Sequence, residues 1–214
     1  CLGIDKALEL IEGMFSFALY DKQFKRIYLC RDRFGEKPLF WFCKENKLYF
    51  SSELGPLTKQ LKKSLTINYE SLGFFLKKSY VPSGQSIYNE VKKLHPATYL
   101  QIDFSSGAFK IQENKYWDYL NIALNNSLNS QTSFDNFDYD EIKSQLASLL
   151  EEKINLTMVS DVPLGAFLSG GYDSSCVVAF MQKNSVKKIK TFSIGFNDKT
   201  YNEADHAKEI SNVL

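Results

Sequence analysis

The stretch that decides the fold is Val162-Pro163-Leu164-Gly165-Ala166-Phe167-Leu168-Ser169-Gly170-Gly171-Tyr172-Asp173-Ser174-Ser175. It runs from an apolar strand into a turn rich in serine and glycine, and a helical segment follows at 176–182. Amides at the start of a helix have no partner inside the helix, and the helix dipole adds partial positive charge there. Adjacent glycines let the main chain approach a ligand closely, because no Cβ intervenes. The pattern predicts a phosphate-binding loop at a helix N-terminus.

The side chains of this loop suit a pyrophosphate group. The hydroxyls of Ser169, Ser174 and Ser175 can orient phosphate oxygens, and Asp173 can hold a metal ion attached to them. The loop lacks the lysine of a Walker A loop, and it lacks the Gly-x-Gly-x-x-Gly pattern of dinucleotide-binding folds. An ordinary Gly-Gly turn capped by Asp and Ser would need only one or two of these residues. We therefore expect the loop to hold pyrophosphate and not a transferable γ-phosphoryl group.

The loop and its flanks closely resemble the ATP-pyrophosphatase family and, within it, the glutamine-hydrolysing asparagine synthetases. The resemblance extends upstream to Lys115-Tyr116-Trp117, which lies in the segment that joins the two halves of such enzymes. The similar segments follow the family's order over nearly all 214 residues: 13–18, 31–39, 89–100, 115–117, 158–175, 191–196 and 201–204.

What the resemblance implies is a ligase with two sites. In the family, a glutaminase site with an N-terminal Cys nucleophile frees ammonia from glutamine. At the synthetase site, ATP adenylates the side-chain carboxylate of aspartate, pyrophosphate leaves, and ammonia attacks the acyl-adenylate to give asparagine and AMP. The implied cofactors are ATP and Mg²⁺, and the implied small-molecule substrates are glutamine, aspartate and ATP. A homodimer of the full-length protein is left open, and the composition agrees with a cytoplasmic enzyme.

The resemblance also assigns site residues, position by position. Asp173 is assigned to contact with magnesium-pyrophosphate. Leu168 and Ile194 lie where the family packs backbone and side chain around the adenosine, although a place in the strand core is an equally good interpretation of their side chains. The residues assigned to the pyrophosphate loop are Ser169, Gly170, Gly171, Asp173, Ser174 and Ser175.

The chain begins with Cys1, but the surrounding sequence argues against its being the glutaminase nucleophile. Apolar residues at 2, 7, 8 and 11 have the spacing of one face of a short helix. In the family the nucleophile opens a strand and is followed directly by Gly-Ile, whereas Leu2 stands here. The 13–18 segment also follows Cys1 far more closely than in the family. We therefore expect Cys1 to be an internal residue, the chain to be a central fragment that ends within the synthetase domain, and the fragment to contain no catalytic residue.

Composition indicates a globular protein without a general electrostatic preference. Hydrophobic residues make up 44% of the chain, and 26 basic against 25 acidic side chains give a net charge of +1. This charge provides no general field for nucleic acid or an anionic membrane, and no apolar run approaches the ~20 residues that span a bilayer. The four cysteines lack Cys-x-x-Cys spacing, which favours reduced thiols in a cytosolic protein. His95 and His206 lack neighbours that would indicate a zinc site.

The residue pattern divides the chain into two fold classes. We assign 1–120 to an α+β antiparallel glutaminase-type sandwich, C-terminal part only, with its connecting segment; 121–139 to a flexible Asn- and Ser-rich linker; and 140–214 to the start of an α/β parallel-sheet ATP-pyrophosphatase domain. In the first part, the pattern predicts hairpins at 14–30 and 39–52, a helix at 69–77 and strands around Tyr99 and Phe109. In the second, a helix at 140–156, strand 164–168, helix 173–183, strand 190–196 and a helix from 203 predict a right-handed parallel βαβ unit. Its ligand is expected at the carboxyl ends of the strands.

Two positions depart from the family pattern. Tyr172 stands where an aliphatic residue is usual, and its phenol is expected either to pack beside the loop or to reach solvent. Thr157 and Met158 stand where a positive charge is often found. These departures leave open an adenylating amidotransferase that acts on another carboxylate, in surface-polysaccharide or secondary-metabolite synthesis. A non-catalytic nucleotide-binding relative is the third interpretation.

The charged segment 31–39, Arg-Asp-Arg-Phe-Gly-Glu-Lys-Pro-Leu, invites a functional interpretation. The resemblance makes it a structural loop shared among glutamine amidotransferases, and we assign it no catalytic role. Within it, Asp32 is expected to pair with a neighbouring arginine.

Overall fold

The computed structural model describes residues 3–61, 64–105, 109–129, 138–198, 200 and 202–214. No helix in these ranges is both long and apolar enough to cross a membrane. Cys1, for which a nucleophilic role is not expected, lies outside the described residues.

The helices are α1 (Ile4–Leu10), α2 (Leu54–Leu61), α3 (Tyr69–Lys78), α4 (Tyr119–Asn129), α5 (Tyr139–Thr157), α6 (Tyr172–Lys183) and α7 (Ala204–Val213). The strands are β1 (Ser16–Asp21), β2 (Arg26–Arg31), β3 (Phe40–Lys44), β4 (Lys47–Ser51), β5 (Lys92–Lys93), β6 (Thr98–Asp103), β7 (Lys110–Lys115), β8 (Gly165–Phe167) and β9 (Lys190–Phe192).

Contacts divide the chain into two compact units, Cys1–Ser130 and Gln131–Leu214. The division falls within 121–139, the stretch predicted as a flexible linker, but residues 121–129 differ from that prediction because they belong to α4. The Asp118 carboxylate explains the helix, since it accepts hydrogen bonds from the amide of Asn121 (3.2 Å) and from its side chain (3.0 Å). Such an N-cap can start a helix even where Asn and Ser make the interior unfavourable.

Two antiparallel sheets form the core of the first unit. Sheet A has the strand order β1-β2-β6-β7, and sheet B has the order β4-β3-β5. In sheet A, Leu29 lies opposite Leu100 and Ile27 opposite Ile102, so these side chains share one face. On that face they pack with Trp41 of sheet B. The two sheets therefore form a sandwich with an apolar interior, which confirms the predicted antiparallel architecture.

A helix covers the outer face of each sheet. On sheet A, Tyr28, Cys30 and Tyr99 alternate with the interior residues and pack with Leu8 of α1. On sheet B, Phe42 packs with two leucines of α2. The first unit is thus ordered in layers of helix, sheet, sheet and helix.

The segment 31–38 begins with the last residue of β2, and we call it the 31–38 loop. It is held from inside by the Arg31 side chain. This residue is only 4% exposed. Its guanidinium group donates to the carbonyls of Gly35, Lys37 (2.9 Å) and Leu94 (2.5 Å). Burial lowers the pKa of Arg31, but the three carbonyl dipoles compensate for the loss of water around the charge.

The negatively charged side chain of Asp32 also stabilises the 31–38 loop, through hydrogen bonds that its carboxylate accepts. It is 1% exposed, and its carboxylate accepts hydrogen bonds from the amides of Phe15 (3.3 Å), Glu36 (2.9 Å) and Lys37 (2.9 Å). The predicted pairing of Asp32 with an arginine is present among the described residues only as a charge interaction with Arg31, since the hydrogen bonds to the carboxylate come from backbone amides. Two of these amides, those of Glu36 and Lys37, belong to the turn of the loop, and that of Phe15 comes from the segment just before β1.

The second unit contains two parallel strands joined by a helix. β8 and β9 pair in parallel, and α6 connects them, as the sequence predicts. Leu168, Val178 and Ala207 form the centre of its core, between the end of β8 and the helices α6 and α7. Lys183 of α6 donates to Glu151 of α5 at 2.7 Å, and this hydrogen bond lowers the pKa of Glu151.

Candidate functional site

The predicted loop, residues 169–175, lies at the carboxyl end of β8. Leu168, immediately before it, is 2% exposed, and its amide donates to the carbonyl of Phe192 in β9 at 2.9 Å. The hydroxyl of Ser193 donates to the Leu168 carbonyl at 2.6 Å. These two bonds extend the pairing of β8 and β9 to the edge of the loop. Ligands of parallel sheets bind at this end of the strands.

The serine hydroxyls of the loop are bonded to the loop itself. Ser169 Oγ lies 2.9 Å from Ser174 Oγ and accepts a hydrogen bond from the Gly171 amide at 3.3 Å. The hydroxyls of Ser174 and Ser175 both donate to the Gly171 carbonyl, at 3.2 and 2.7 Å. The structure therefore brings the three serines singled out by the sequence into one compact turn around Gly171.

The two glycines differ in what they require. Gly170 has a φ of +88°, and a Cβ there would lie 3.1 Å from the amide nitrogen of Ala207 in α7, so both conformation and space favour glycine. Gly171 has an ordinary φ of −72°, and a Cβ there would meet Ser169 Oγ at 3.5 Å. The absence of a side chain at Gly171 therefore leaves room in front of α6.

The first turn of α6 has no side-chain cap among the described residues. Gly171 is the N-cap residue, and none of the side chains that the structure describes accepts a hydrogen bond from the first amides of the helix. Asp173 lies in this turn and is exposed, and it has no hydrogen-bond or ion-pair partner within the described ranges. Tyr172 is 97% exposed, so its phenol reaches solvent. Open amides and a carboxylate without a protein partner thus lie beside the serines.

A cavity of about 250 Å³ opens at the carboxyl ends of β8 and β9. Both residues assigned to adenosine, Leu168 and Ile194, line this cavity together with Ser169. The predicted strand 190–196 ends at Phe192, and the Ile194 side chain is 71% exposed. The alternative interpretation as strand core therefore holds for Leu168 and not for Ile194. The cavity is lined by Phe167, Leu168, Ser169, Phe192, Ser193, Ile194, Phe196 and Glu203.

Two polar residues of this cavity, Ser193 and Glu203, were not expected from the sequence. A signal for Ser193 exists, since it follows β9 much as Ser169 follows β8, and the ends of adjacent parallel strands meet at one edge. Glu203 lies just before α7, and the course of the chain before that helix places it at the cavity. The Asn202 side chain shapes this segment by accepting hydrogen bonds from the amides of Phe196 (3.2 Å) and Ala204 (3.3 Å).

The candidate metal contact is Asp173. Across the part of the chain that the structure describes, no three His, Cys, Asp or Glu side chains form a group that could hold a metal ion. Mg²⁺ at nucleotide sites is usually held by one or two carboxylates together with substrate phosphates and waters. A single exposed carboxylate beside the serine turn fits an ion that arrives with the nucleotide.

Two protein families match the chain. The model described as a glutamine amidotransferase domain matches residues 2–117, and the model described as asparagine synthase matches residues 145–214. The first match covers the sandwich, and the second covers the 169–175 loop and its cavity. The class is therefore a glutamine amidotransferase domain followed along the chain by an asparagine synthase domain.

Individual relatives carry the same combination in their names. "Putative asparagine synthetase (glutamine-hydrolyzing) 2" of Methanocaldococcus jannaschii is 34% identical over 215 residues, which cover 98% of this chain and 38% of the relative. Asparagine synthetase (glutamine-hydrolyzing) 1 of Bacillus subtilis is 30% identical over 210 residues, which cover 98% of this chain and 31% of the relative. Asparagine synthetase (glutamine-hydrolyzing) of Mus musculus is 26% identical over 202 residues, which cover 92% of this chain and 33% of the relative. The chain belongs to the family of glutamine-hydrolysing asparagine synthetases. It spans between 31% and 38% of the length of these relatives.

Proposed function

We propose that the protein carries out ATP-dependent synthesis of asparagine from aspartate, with ammonia taken from glutamine. In this reaction the aspartate side chain is adenylated to β-aspartyl-AMP, pyrophosphate leaves, and ammonia displaces AMP. The observation that carries the proposal is the 169–175 loop, in which three hydroxyls and the exposed Asp173 surround an uncapped helix N-terminus. The names of the relatives support the same overall reaction.

The loop has what the departure of pyrophosphate requires. A carboxylate reacts with ammonia only after one of its oxygens has become part of a good leaving group. Donors that are already oriented stabilise the charge that develops on that group, because they need no reorganisation during the reaction. The open amides of α6 are such donors, and the hydroxyls of Ser174 and Ser175 can each turn a proton from the Gly171 carbonyl to a phosphate oxygen.

Asp173 has the second role in this proposal. Its carboxylate would hold Mg²⁺ that arrives with the nucleotide, and the ion would supply positive charge for the departing pyrophosphate. Asp173 suits this role because it is exposed and no protein group within the described ranges competes for it. We assign the pyrophosphate contacts to Ser169, Gly170, Gly171, Asp173, Ser174 and Ser175.

The adenosine is assigned to the cavity at the ends of β8 and β9. A purine ring binds best between apolar groups with a few polar contacts, and the cavity provides Leu168, Ile194 and three phenylalanines next to Ser169. The first unit contributes the amidotransferase part of the reaction, although we assign no catalytic residue to it. We keep 1–120, 121–139 and 140–214 as the proposed division into amidotransferase, linker and ATP-pyrophosphatase parts.

Pyrophosphate release by the full-length protein tests this function. The assay contains ATP, Mg²⁺ and ammonium, with and without aspartate, and AMP and asparagine are measured as co-products. Release that depends on aspartate, with equal amounts of AMP and asparagine, is expected. A folded protein that binds ATP but does not respond to aspartate would contradict the proposal. It would favour an amidotransferase that adenylates another carboxylate, which a panel of carboxylic acids in the same assay would identify.

A further inference from the structure

The chain leaves sheet A along β7 and turns into α4 through residues 116–118, which we call the exit segment. The Tyr116 amide donates to the Ala97 carbonyl at 2.9 Å, and the Tyr116 hydroxyl donates to the Arg31 carbonyl at 2.8 Å. The Trp117 ring packs edge-on against Phe34, with ring centroids 5.3 Å apart and an interplanar angle of 68°. Arg31 and Phe34 both belong to the 31–38 loop. The exit segment is therefore attached to that loop at two points.

The 31–38 loop is built to keep a single shape. Its two buried charges, Arg31 and Asp32, are bonded to six backbone groups. The Asp32 carbonyl also accepts a hydrogen bond from the Ala97 amide at 2.9 Å, so the residue that receives the Tyr116 amide is itself fixed by the loop. Buried charges are costly unless they are fully bonded, and such an arrangement leaves the loop little conformational freedom.

The exposed ring of Phe34 indicates a function for the rigid 31–38 loop. Phe34 is 70% exposed, so the sandwich core does not explain its position, and its ring contact among the described residues is with Trp117. Three charged side chains of the loop, Arg31, Asp32 and Arg33, are bonded to backbone groups and so help to hold the loop in place. A rigid loop with an exposed aromatic ring against the exit segment is suited to positioning that segment.

We propose that the 31–38 loop is a clamp that fixes the course of the chain where it leaves the amidotransferase unit, and that the clamp couples ammonia release to ammonia use. The coupling part rests on the proposed function. Ammonia made by one domain and consumed by another is productive only while the two domains keep a defined arrangement. The connecting chain can help to maintain that arrangement only if its first residues are fixed. Tyr116 and Phe34 are then positioning residues and not catalytic residues.

The test uses the full-length protein with Tyr116→Phe, Phe34→Leu and the double variant. The first change removes one hydroxyl, and the second removes one exposed ring, so neither empties the core. Matched controls are Tyr119→Phe and Phe50→Leu. The Tyr119 hydroxyl has no hydrogen-bond partner within the described ranges, and Phe50 is a partly exposed ring of β4 without a ring contact there. Three rates are measured: glutamine hydrolysis, asparagine synthesis from ammonium, and asparagine synthesis from glutamine.

The clamp predicts that the asparagine formed per glutamine hydrolysed falls on the order of fivefold in the double variant, since a hydrogen bond and a ring contact are lost together. Glutamine hydrolysis and synthesis from ammonium should stay within about twofold of the unmodified protein, as should all three rates in the controls. An unchanged ratio in the double variant would overturn the proposal. So would a parallel fall of all three rates, because that pattern indicates a merely structural role.

Hydrogen exchange tests the clamp independently of the proposed reaction. Amides 116–122 should exchange roughly tenfold faster in the double variant, while amides of β2 and β6 keep their protection. Equal protection of amides 116–122 in the variant and the unmodified protein would overturn the clamp itself. If the unmodified protein makes no asparagine, the proposed function fails, and faster exchange in the double variant still supports the fixed exit segment.

Discussion

Two loops of this chain contain charged and polar residues after a strand, and they use them in opposite ways. In the 31–38 loop, Arg31 and Asp32 are buried and bonded to backbone groups. In the 169–175 loop, Asp173 is exposed without a protein partner within the described ranges, and the helix behind it has no side-chain cap. The comparison teaches that a high density of polar residues does not mark a site. Hydrogen-bonding capacity that the fold leaves unused is the better indicator.

Replacing Asp32 with Ala should have the largest effect on stability and would test the first half of this comparison. Three amides lose their acceptor and Arg31 loses a nearby opposite charge, so the free energy of unfolding should fall by about 4 kcal/mol. Urea unfolding followed by tryptophan fluorescence measures the change, since both tryptophans of the chain, Trp41 and Trp117, lie in the first unit. The control Glu36→Ala, an exposed position in the same loop, should stay within about 0.5 kcal/mol. Equal stability of the two variants would show that the buried carboxylate does not hold the loop.

Replacing Asp173 with Asn would test the second half. The change keeps the shape and removes the charge, so pyrophosphate release should fall about 100-fold, or about 2.7 kcal/mol in the activation free energy. Stability should change by no more than about 0.5 kcal/mol because the side chain is exposed, and glutamine hydrolysis should continue. Asp205→Asn, an exposed residue in the first turn of α7, is the control and should keep full activity. Unchanged pyrophosphate release by Asp173→Asn would remove Asp173 from the proposed mechanism.

Alanine substitutions at Gly170 and Gly171 distinguish the glycine that stabilises the 169–175 loop from the glycine that leaves room for the ligand. Gly170→Ala should lower the free energy of unfolding by about 2 kcal/mol. The alanine would have to keep the positive φ of Gly170, and its Cβ would lie close to the amide nitrogen of Ala207. Gly171→Ala should leave stability within about 0.5 kcal/mol because its φ suits any residue. Its Cβ should nevertheless weaken ATP binding by standing in front of α6. Thermal melting and calorimetric ATP titration measure both effects, and a larger stability loss at Gly171 would contradict the assignment.

A surface ion pair of sheet A gives the smallest expected effect and contrasts with the buried charges of the 31–38 loop. Hydrogen bonds from Ser105, together with one from Arg26 at 3.0 Å, lower the pKa of Asp103 to about 2 from an ordinary value of 3.8. Because the folded pKa is the lower one, the stabilisation is present above about pH 4 and is lost as the pH falls through about 2. Asp103→Asn should therefore flatten the dependence of the melting temperature on pH in this window. A steep acid dependence that survives the substitution would have to come from other carboxylates.

The sequence predicted the elements whose signals are local. The hairpins of the first unit and the helices α3, α5 and α6 lie close to their predicted positions, because alternating or helical periodicity ends at clear turn residues. No helix was assigned at α2, where Gly55 and Pro56 indicate a turn, although proline is tolerated in a first helical turn. The Asn- and Ser-rich composition of residues 121–129 predicts a linker, whereas the hydrogen bond that Asp118 accepts from the Asn121 amide starts α4 there.

The residues of the candidate site likewise divide into those that the sequence predicts and those that only the fold brings together. The serines and glycines of the 169–175 loop are neighbours in sequence, so their convergence could be predicted. Glu203 reaches the cavity only through the path of the chain into α7. The acceptor role of Asp32 depends on amides from two separate segments that the fold brings together. Contacts of this kind have no periodic or motif signal.

The pairing pattern of sheet A also has a consequence for biosynthesis. β2 pairs with β1 through a short turn, but its other neighbour is β6, and the Arg26–Asp103 contact spans 77 residues. In the second unit, the contact between Leu168 and Ser193 spans only 25 residues. Distant pairings form late, because the intervening chain must be made and its loop closed first. On the ribosome, the β1–β2 hairpin must therefore wait with its apolar face uncovered until β6 emerges, and it is the segment that a chaperone would shield during translation.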